Sequence, residues 1–340
     1  MAAGRRSVTA SPIPVPICIA GFGTYAPERV LSNADLEQLL DTNDAWITER
    51  TGIKERHIVA EGEATSHMAI AAGAAAIEDA GLTPSDIDLL VLATTTPDQI
   101  VPAASAFVSD GLGLRCGSFD INAACAGFAY ALVVGSSLIA TGARNVLVIG
   151  AETISRFIDY TDRGTAILFG DGAGAAVLRA SSNGAALLSW DLGCDGSAAA
   201  LIEVPVGGSL HPARADNVNG NGQYVHMQGN EVFRRAVRAV VESAQATLEK
   251  AGVTADDVDL FVPHQANERI IDAACSRLGI PPEKSFVNIS KYGNTSAASI
   301  PLAIGDALTE ERIHDGDLVL LSGFGAGMTW ASALLRWGRS

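Results

Sequence analysis

Short apolar runs, each the length of a buried strand, alternate along this chain with longer helical segments, and the alternation occurs twice. Ile77-Glu-Asp-Ala-Gly-Leu-Thr-Pro-Ser-Asp-Ile-Asp-Leu-Leu-Val91 matches Leu248-Glu-Lys-Ala-Gly-Val-Thr-Ala-Asp-Asp-Val-Asp-Leu-Phe-Val262. Each block reads as a helix end, a glycine stop, a turn and a strand apolar on both faces. Three further blocks recur in the same order. Ser118-Phe119 leads to a corner and an apolar helix over Phe128–Ala140, and Ser285-Phe286 leads to a corner at Asn294 and a helix over Ala297–Leu308. Asn145-Val-Leu-Val-Ile149 pairs with Asp317-Leu-Val-Leu-Leu321, and Gly172–Leu178 pairs with Thr329–Leu335. Strands alternating with helices predict an α/β protein with mostly parallel sheets, built as two halves related by a pseudo-twofold axis. The boundary falls at Ala180-Ser-Ser-Asn-Gly184, dividing residues 1–182 from 183–340.

The duplication brings equivalent strand-to-helix corners to one junction, and three of them carry chemistry. Cys125 follows the β-type run Gly117–Ile121 and opens the Phe128–Ala140 helix. Unpaired N–H groups and the positive dipole end at such a position favour an anion. A fall of about 1.5 units from the usual thiol pKa of about 8.5 would ionise about half of it at neutral pH. His264 stands just past the second-half strand that ends Val262-Pro263, and Asn294 sits in the turn Gly293-Asn-Thr-Ser296. Taken singly, the last two read as a satisfied structural histidine and a turn or cap asparagine. Converging with the cysteine, they read as a nucleophile with two polar partners.

Ala123-Ala-Cys-Ala-Gly-Phe128, His264-Gln-Ala-Asn267 and Gly293-Asn-Thr-Ser-Ala-Ala-Ser299 together resemble the β-ketoacyl-acyl carrier protein (ACP) synthase III family of the thiolase superfamily. Asp44-Ala-Trp-Ile47, Arg50-Thr-Gly-Ile53, Thr161-Asp-Arg-Gly-Thr165, Phe169-Gly-Asp-Gly-Ala-Gly-Ala-Ala176 and Gly323-Phe-Gly-Ala-Gly-Met-Thr-Trp330 extend the likeness from about Ile17 to Trp337. The resemblance implies a thiolase-like fold with αβαβα layers. It also implies an acyltransferase that condenses an acyl-CoA primer with malonyl-ACP, losing CO2, to start type II fatty-acid synthesis. Cys125 would be acylated, with His264 and Asn294 stabilising the enolate. The amides of Cys125 and the Ala326 turn would hold the tetrahedral oxyanion, and Phe324 would flank the malonyl site. Trp46, Arg50, Arg163 and Asn230 would bind CoA. Val101 would reach the acyl pocket of a partner in a homodimer. No cofactor is implied beyond the CoA and ACP-phosphopantetheine thioesters themselves.

A Cys-His-Asn set points to the initiating branch, since elongating enzymes resemble a Cys-His-His pattern. Degradative thiolases need a second cysteine that the matching Gly-Ala-Gly loop lacks, and hydroxymethylglutaryl-CoA synthase fits the other motifs less well. A polyketide starter-unit ketosynthase of the same fold remains the enzymatic alternative, and a non-catalytic scaffold the other.

Composition narrows the partners. A net charge of −15 over 340 residues disfavours broad binding to nucleic acid or anionic membranes. It also requires a local basic face for any acidic partner such as ACP. Arg234 and Arg238, four apart on a helix, with Arg269 and Gln265 near His264, are the candidates for that face. Five cysteines without paired spacing suit a reducing, cytoplasmic setting. Arg5 and Arg6 are followed by Pro12, Pro14 and Pro16, which interrupt any signal-peptide apolar core. No run is long enough to predict a membrane span. Gly21-Phe-Gly-Thr-Tyr-Ala26 mimics a dinucleotide fingerprint, but Pro27 falls where its helix should run. The remaining histidines form no metal-ligand pattern with cysteine.

Overall fold

The computed structural model describes residues 14–217 and 220–339. Arg5, Arg6 and Pro12, on which the reading of the amino terminus depends, lie outside the described residues. Five strands form the first sheet: β1 (Ile17–Tyr25), β2 (Leu89–Ala93), β3 (Gly117–Ile121), β4 (Asn145–Glu152) and β5 (Gly172–Ala180), in the order β3-β2-β4-β5-β1. The second sheet contains β6 (Ala186–Cys194), β7 (Leu260–Pro263), β8 (Leu318–Gly325) and β9 (Thr329–Arg336), in the order β7-β8-β9-β6. A parallel bridge from Phe261 to Ser285 lies on the far side of β7, where β3 stands in the first sheet. The two sheets therefore share one topology.

Both sheets are mixed rather than mostly parallel. β2 runs parallel to β3 and β4, and β7 parallel to β8, but β5 and β9 return antiparallel and pair with antiparallel β1 and β6. An apolar run on both faces reports that a strand is covered, not which way its neighbour points.

Side-chain alternation turns these sheets into layers. On β4, Val146 and Val148 face inward, whereas Leu147 and Ile149 face the opposite side. The inward side packs on two central helices, α4 (Gly127–Ala140) and α7 (Ser299–Thr309), whose Phe128, Leu132, Ile300 and Ile304 also meet Val262, Val319 and Leu321 of the second sheet. The outer side of the first sheet is covered by α2 (Thr65–Asp79) and α3 (Ala104–Leu112). The outer side of the second is covered by α5 (Gly229–Ala251) and α6 (Glu268–Leu278). The result is the five-layered αβαβα arrangement, with each half's central helix packed between the two sheets.

Small residues set how closely the layers approach. A Cβ on Gly150 of β4 would lie 2.3 Å from the carbonyl oxygen of Ala297, at the head of α7. That contact holds the second half's corner against the end of a first-half strand. Gly150→Ala should lower stability by about 1–3 kcal/mol through overpacking, measured by urea unfolding. Gly196→Ala, which meets open space, should change it by less than about 0.5 kcal/mol.

Candidate active site

Cys125 lies in a single helical turn, Ala124–Ala126, between β3 and α4. Ala124 adopts φ +47°, a left-handed conformation that costs a residue with a Cβ. Its N–H donates to Asn122 Oδ1 at 3.3 Å. The second half repeats this corner: Ser296 has φ +51° and its N–H donates to Asn294 Oδ1 at 2.9 Å. Asn294 is thus the structural counterpart of Asn122, and Ala297 is that of Cys125. One half supplies the sulfur; the other supplies a carboxamide and a hydroxyl.

Cys125, His264, Asn294, Ser296, Phe324 and Ala326 line one cavity of about 1370 Å³, located at the carboxyl ends of the strands. Asn294 commits its Oδ1 to Ser296, so Nδ2 remains as the donor toward the cavity. His264 is 2% exposed and its Nδ1 lies 2.5 Å from Ser299 Oγ. Ser299 Oγ also accepts the Gln265 N–H at 3.3 Å. Nδ1 is the acceptor the structure offers to the Ser299 hydroxyl proton, an assignment made from the hydrogen-bond network. The ring hydrogen then resides on Nε2, which has no partner among the described residues. Burial holds the imidazole neutral by lowering its pKa to about 3. The Phe324 ring meets it edge-on, 5.5 Å between centroids. The backbone of Gly325 passes so close to the corner that a Cβ there would sit 2.5 Å from the Cys125 nitrogen.

The resting thiol is not half ionised. Burial pushes Cys125 up to about 12; its hydrogen bond to Ser296 opposes the rise and the Glu152 carboxylate adds to it. Desolvation by the packed corner outweighs the helix N-terminus. Ser296 and Glu152 both escape the sequence reading. Aligning Asn294 with Asn122 would place Ser296 beside Ala297, opposite the cysteine corner, but nothing in the apolar run of β4 marks its terminal glutamate.

The outlying candidates separate into groups. Helix α1 (Asp44–Thr51) carries Trp46 and Arg50, and Asn267 ties it to the second half by donating Nδ2 to the Arg50 carbonyl at 2.9 Å. The Trp46 ring lies 4.6 Å from the guanidinium carbons of both Arg50 and Arg163. Arg50, Asn230 and Arg269 line the cavity; Trp46 and Arg163 sit beyond it. Arg269 is exposed over the Phe233 ring at 5.9 Å. Arg234 and Arg238 are exposed, and each is ion-paired on its own helix, to Glu231 and Glu242. Val101 is 78% exposed beside Ile100 at 80%. Gln265 corrects the sequence reading. It is 1% exposed, donates to the Pro263 and Phe286 carbonyls and accepts the Asn288 N–H, so it braces the His264 turn and presents nothing to a protein partner.

The family model for the 3-oxoacyl-ACP synthase III C-terminal region matches residues 248–337, and that for 3-oxoacyl-ACP synthase III matches residues 119–196. A β-ketoacyl-ACP synthase III of Symbiobacterium thermophilum is 51% identical over 95% of this chain and 99% of its own. The chain belongs to the 3-oxoacyl-ACP synthase III family. The crystal structure of a synthase III from Aquifex aeolicus superposes with TM-score 0.87 at 46% identity, covering 94% of this chain and all of that one. A priming β-ketosynthase from a polyketide biosynthetic pathway matches with TM-score 0.86 at 35% identity over 98% and 100% of the two chains.

The neutral buried His264 has a consequence for stability. Its folded pKa, about 3, lies below the ordinary 6.5. As pH falls through about 6.5 the unfolded chain takes up a proton that the native state refuses, so stability is lost on acidification at up to ~1.4 kcal/mol per pH unit. Urea midpoints measured from neutral pH down to about pH 5 should fall less steeply in His264→Asn than in the parent.

Proposed function

We propose that Cys125 accepts an acyl group from an acyl-CoA and that malonyl-ACP is then decarboxylated and condensed onto it in the same cavity, giving 3-oxoacyl-ACP, the first condensation of type II fatty-acid synthesis. One observation carries this reading: a thiol, a neutral imidazole with an Nε2–H, and a carboxamide with an uncommitted Nδ2 line a single cavity. Loss of CO2 moves the C–C bonding pair onto the malonyl thioester, making an enolate. Two neutral donors stabilise that charge and do not quench the carbanion. The carbanion attacks the acyl carbon on Cys125. The tetrahedral oxyanion is held by the Cys125 and Ala326 amides, which the missing side chain at Gly325 lets come together. Collapse breaks the C–S bond, and the released Cys125 thiolate takes up a proton from solvent, its original proton having left with CoA. The chain's own groups suffice for this chemistry, with CoA and ACP-phosphopantetheine thioesters as substrates.

The halves divide the labour, residues 1–182 supplying the sulfur and 183–340 the donors. Trp46, Arg50, Arg163 and Asn230 receive the CoA, its adenine displacing one of the guanidinium groups from the indole. Arg269, with Arg234 and Arg238, forms the face for ACP, which the pairing to Glu231 and Glu242 partly neutralises. In a homodimer, exposed Val101 closes the partner's acyl pocket. No helix among the described residues is long and apolar enough to cross a membrane; the cytoplasmic setting is proposed from the unpaired cysteine usage. A polyketide starter-unit synthase would use the same site and differ in its primer.

Intact-mass analysis should show an acyl adduct on the wild type after incubation with acyl-CoA and none on Cys125→Ser; a wild type that stays unmodified marks a scaffold. His264→Ala and Asn294→Ala should keep the adduct yet lose on the order of 10²–10³ in malonyl-ACP decarboxylation. Turnover of an acyl-CoA panel identifies the primer, and in Val101→Phe the preference should move to shorter chains. Charge reversal at Arg234 and Arg269 should raise KM for malonyl-ACP and leave KM for acyl-CoA unchanged.

A further inference from the structure

The end of β4 carries a fully buried carboxylate that the chemistry above leaves idle. Glu152 is 0% exposed. Its oxygens accept from Thr95 N–H and Thr95 Oγ1, from Thr96 Oγ1 at 2.6 Å, from Thr94 Oγ1 at 3.3 Å and from Ser296 Oγ at 3.0 Å. The donors are hydroxyls and one amide; none is a cation. Ser296 Oγ also lies 3.4 Å from Cys125 Sγ, in a contact where the thiol donates. The chain is therefore directional: S–H to hydroxyl, hydroxyl to carboxylate. The remaining titratable group nearby, Asp171, flanks Gly172, the residue paired with Glu152 on β5, and its oxygens are taken by Ser155 and the Val59 amide.

We propose that Glu152, acting through Ser296, receives the Cys125 proton as the sulfur attacks. The S–H pair becomes the new S–C bond. The thiol proton moves to Ser296 Oγ while the Ser296 proton moves to a Glu152 oxygen. When the tetrahedral adduct collapses, the CoA sulfur leaves with the C–S pair and takes the proton back along the same route. Ser296 touches the reacting sulfur; Glu152 is a positioning residue that acts through it. Burial raises the proton affinity of Glu152, which suits it to receive a proton, and in each hydrogen bond to its oxygens the neighbour is the donor. A thiol held near 12 needs such an acceptor, since the His264 lone pair on Nδ1 is already engaged by Ser299.

This inference rests on the acylation of Cys125 proposed above, but its test does not use acyl-CoA. The rate of Cys125 alkylation by iodoacetamide is measured against pH for the wild type, Glu152→Gln, Glu152→Asp and Ser296→Ala, with unfolding midpoints as controls. Glu152→Gln and Ser296→Ala should slow alkylation near neutral pH on the order of tenfold or more and shift the profile to higher pH, with partial rescue in Glu152→Asp. A buried charge with no relay role would do the reverse: its removal would leave the profile unmoved or shift it to lower pH. Either result in a folded variant overturns the proposal. Should Glu152→Gln fail to fold, Glu152→Asp decides: slowed alkylation with the profile moved to higher pH supports the relay, and an unmoved or lowered profile overturns it. A wild type that alkylates as expected but takes no acyl group from acyl-CoA would refute the acylation reading and leave the relay standing.

Discussion

Two strained corners touching across the central layer govern this molecule. Ala124 and Ser296 both hold left-handed backbone angles, each anchored by an asparagine two residues earlier. Neither conformation is favourable alone. Each persists because α4 and α7 leave their corners back to back between two sheets, with Gly150 and Gly325 giving up side-chain volume to let backbones meet. Loosening that contact would move the thiol relative to the carboxamide, since they ride on opposite sides of it.

Burial at this seam sets the electrostatics as well. The same packing that positions Cys125, His264 and Glu152 strips them of water. The thiol and imidazole respond by strongly favouring their neutral forms, and burial raises the proton affinity of Glu152 against the opposing pull of its hydrogen-bond donors. A neutral imidazole is a hydrogen-bond donor that does not compete for protons. A neutral thiol is a poor nucleophile until something accepts its proton.

Much of this was legible in the chain. The repeat was visible because helix stops and apolar strands recur as local patterns, and His264 and Asn294 could be placed by reading one half against the other. Strand direction was not, because Gly172–Leu178 is equally apolar whichever way it runs. Gln265 was misjudged since adjacency to His264 on a corner says nothing about which side faces in. The thiol pKa was misjudged because a helix start can be read from sequence, whereas desolvation depends on what packs over it. Glu152 was hidden most deeply: its donors come from the segment after β2 and from the second-half corner, which meet only on folding.

The duplicated corner has also diverged in a way that constrains turnover. Where the first half presents sulfur, the second presents the methyl of Ala297, so a symmetric frame contains a single acceptor. On the chemistry proposed above, two thioesters would use the cavity that Cys125 lines in succession, and the covalent acyl intermediate would make the kinetics ping-pong.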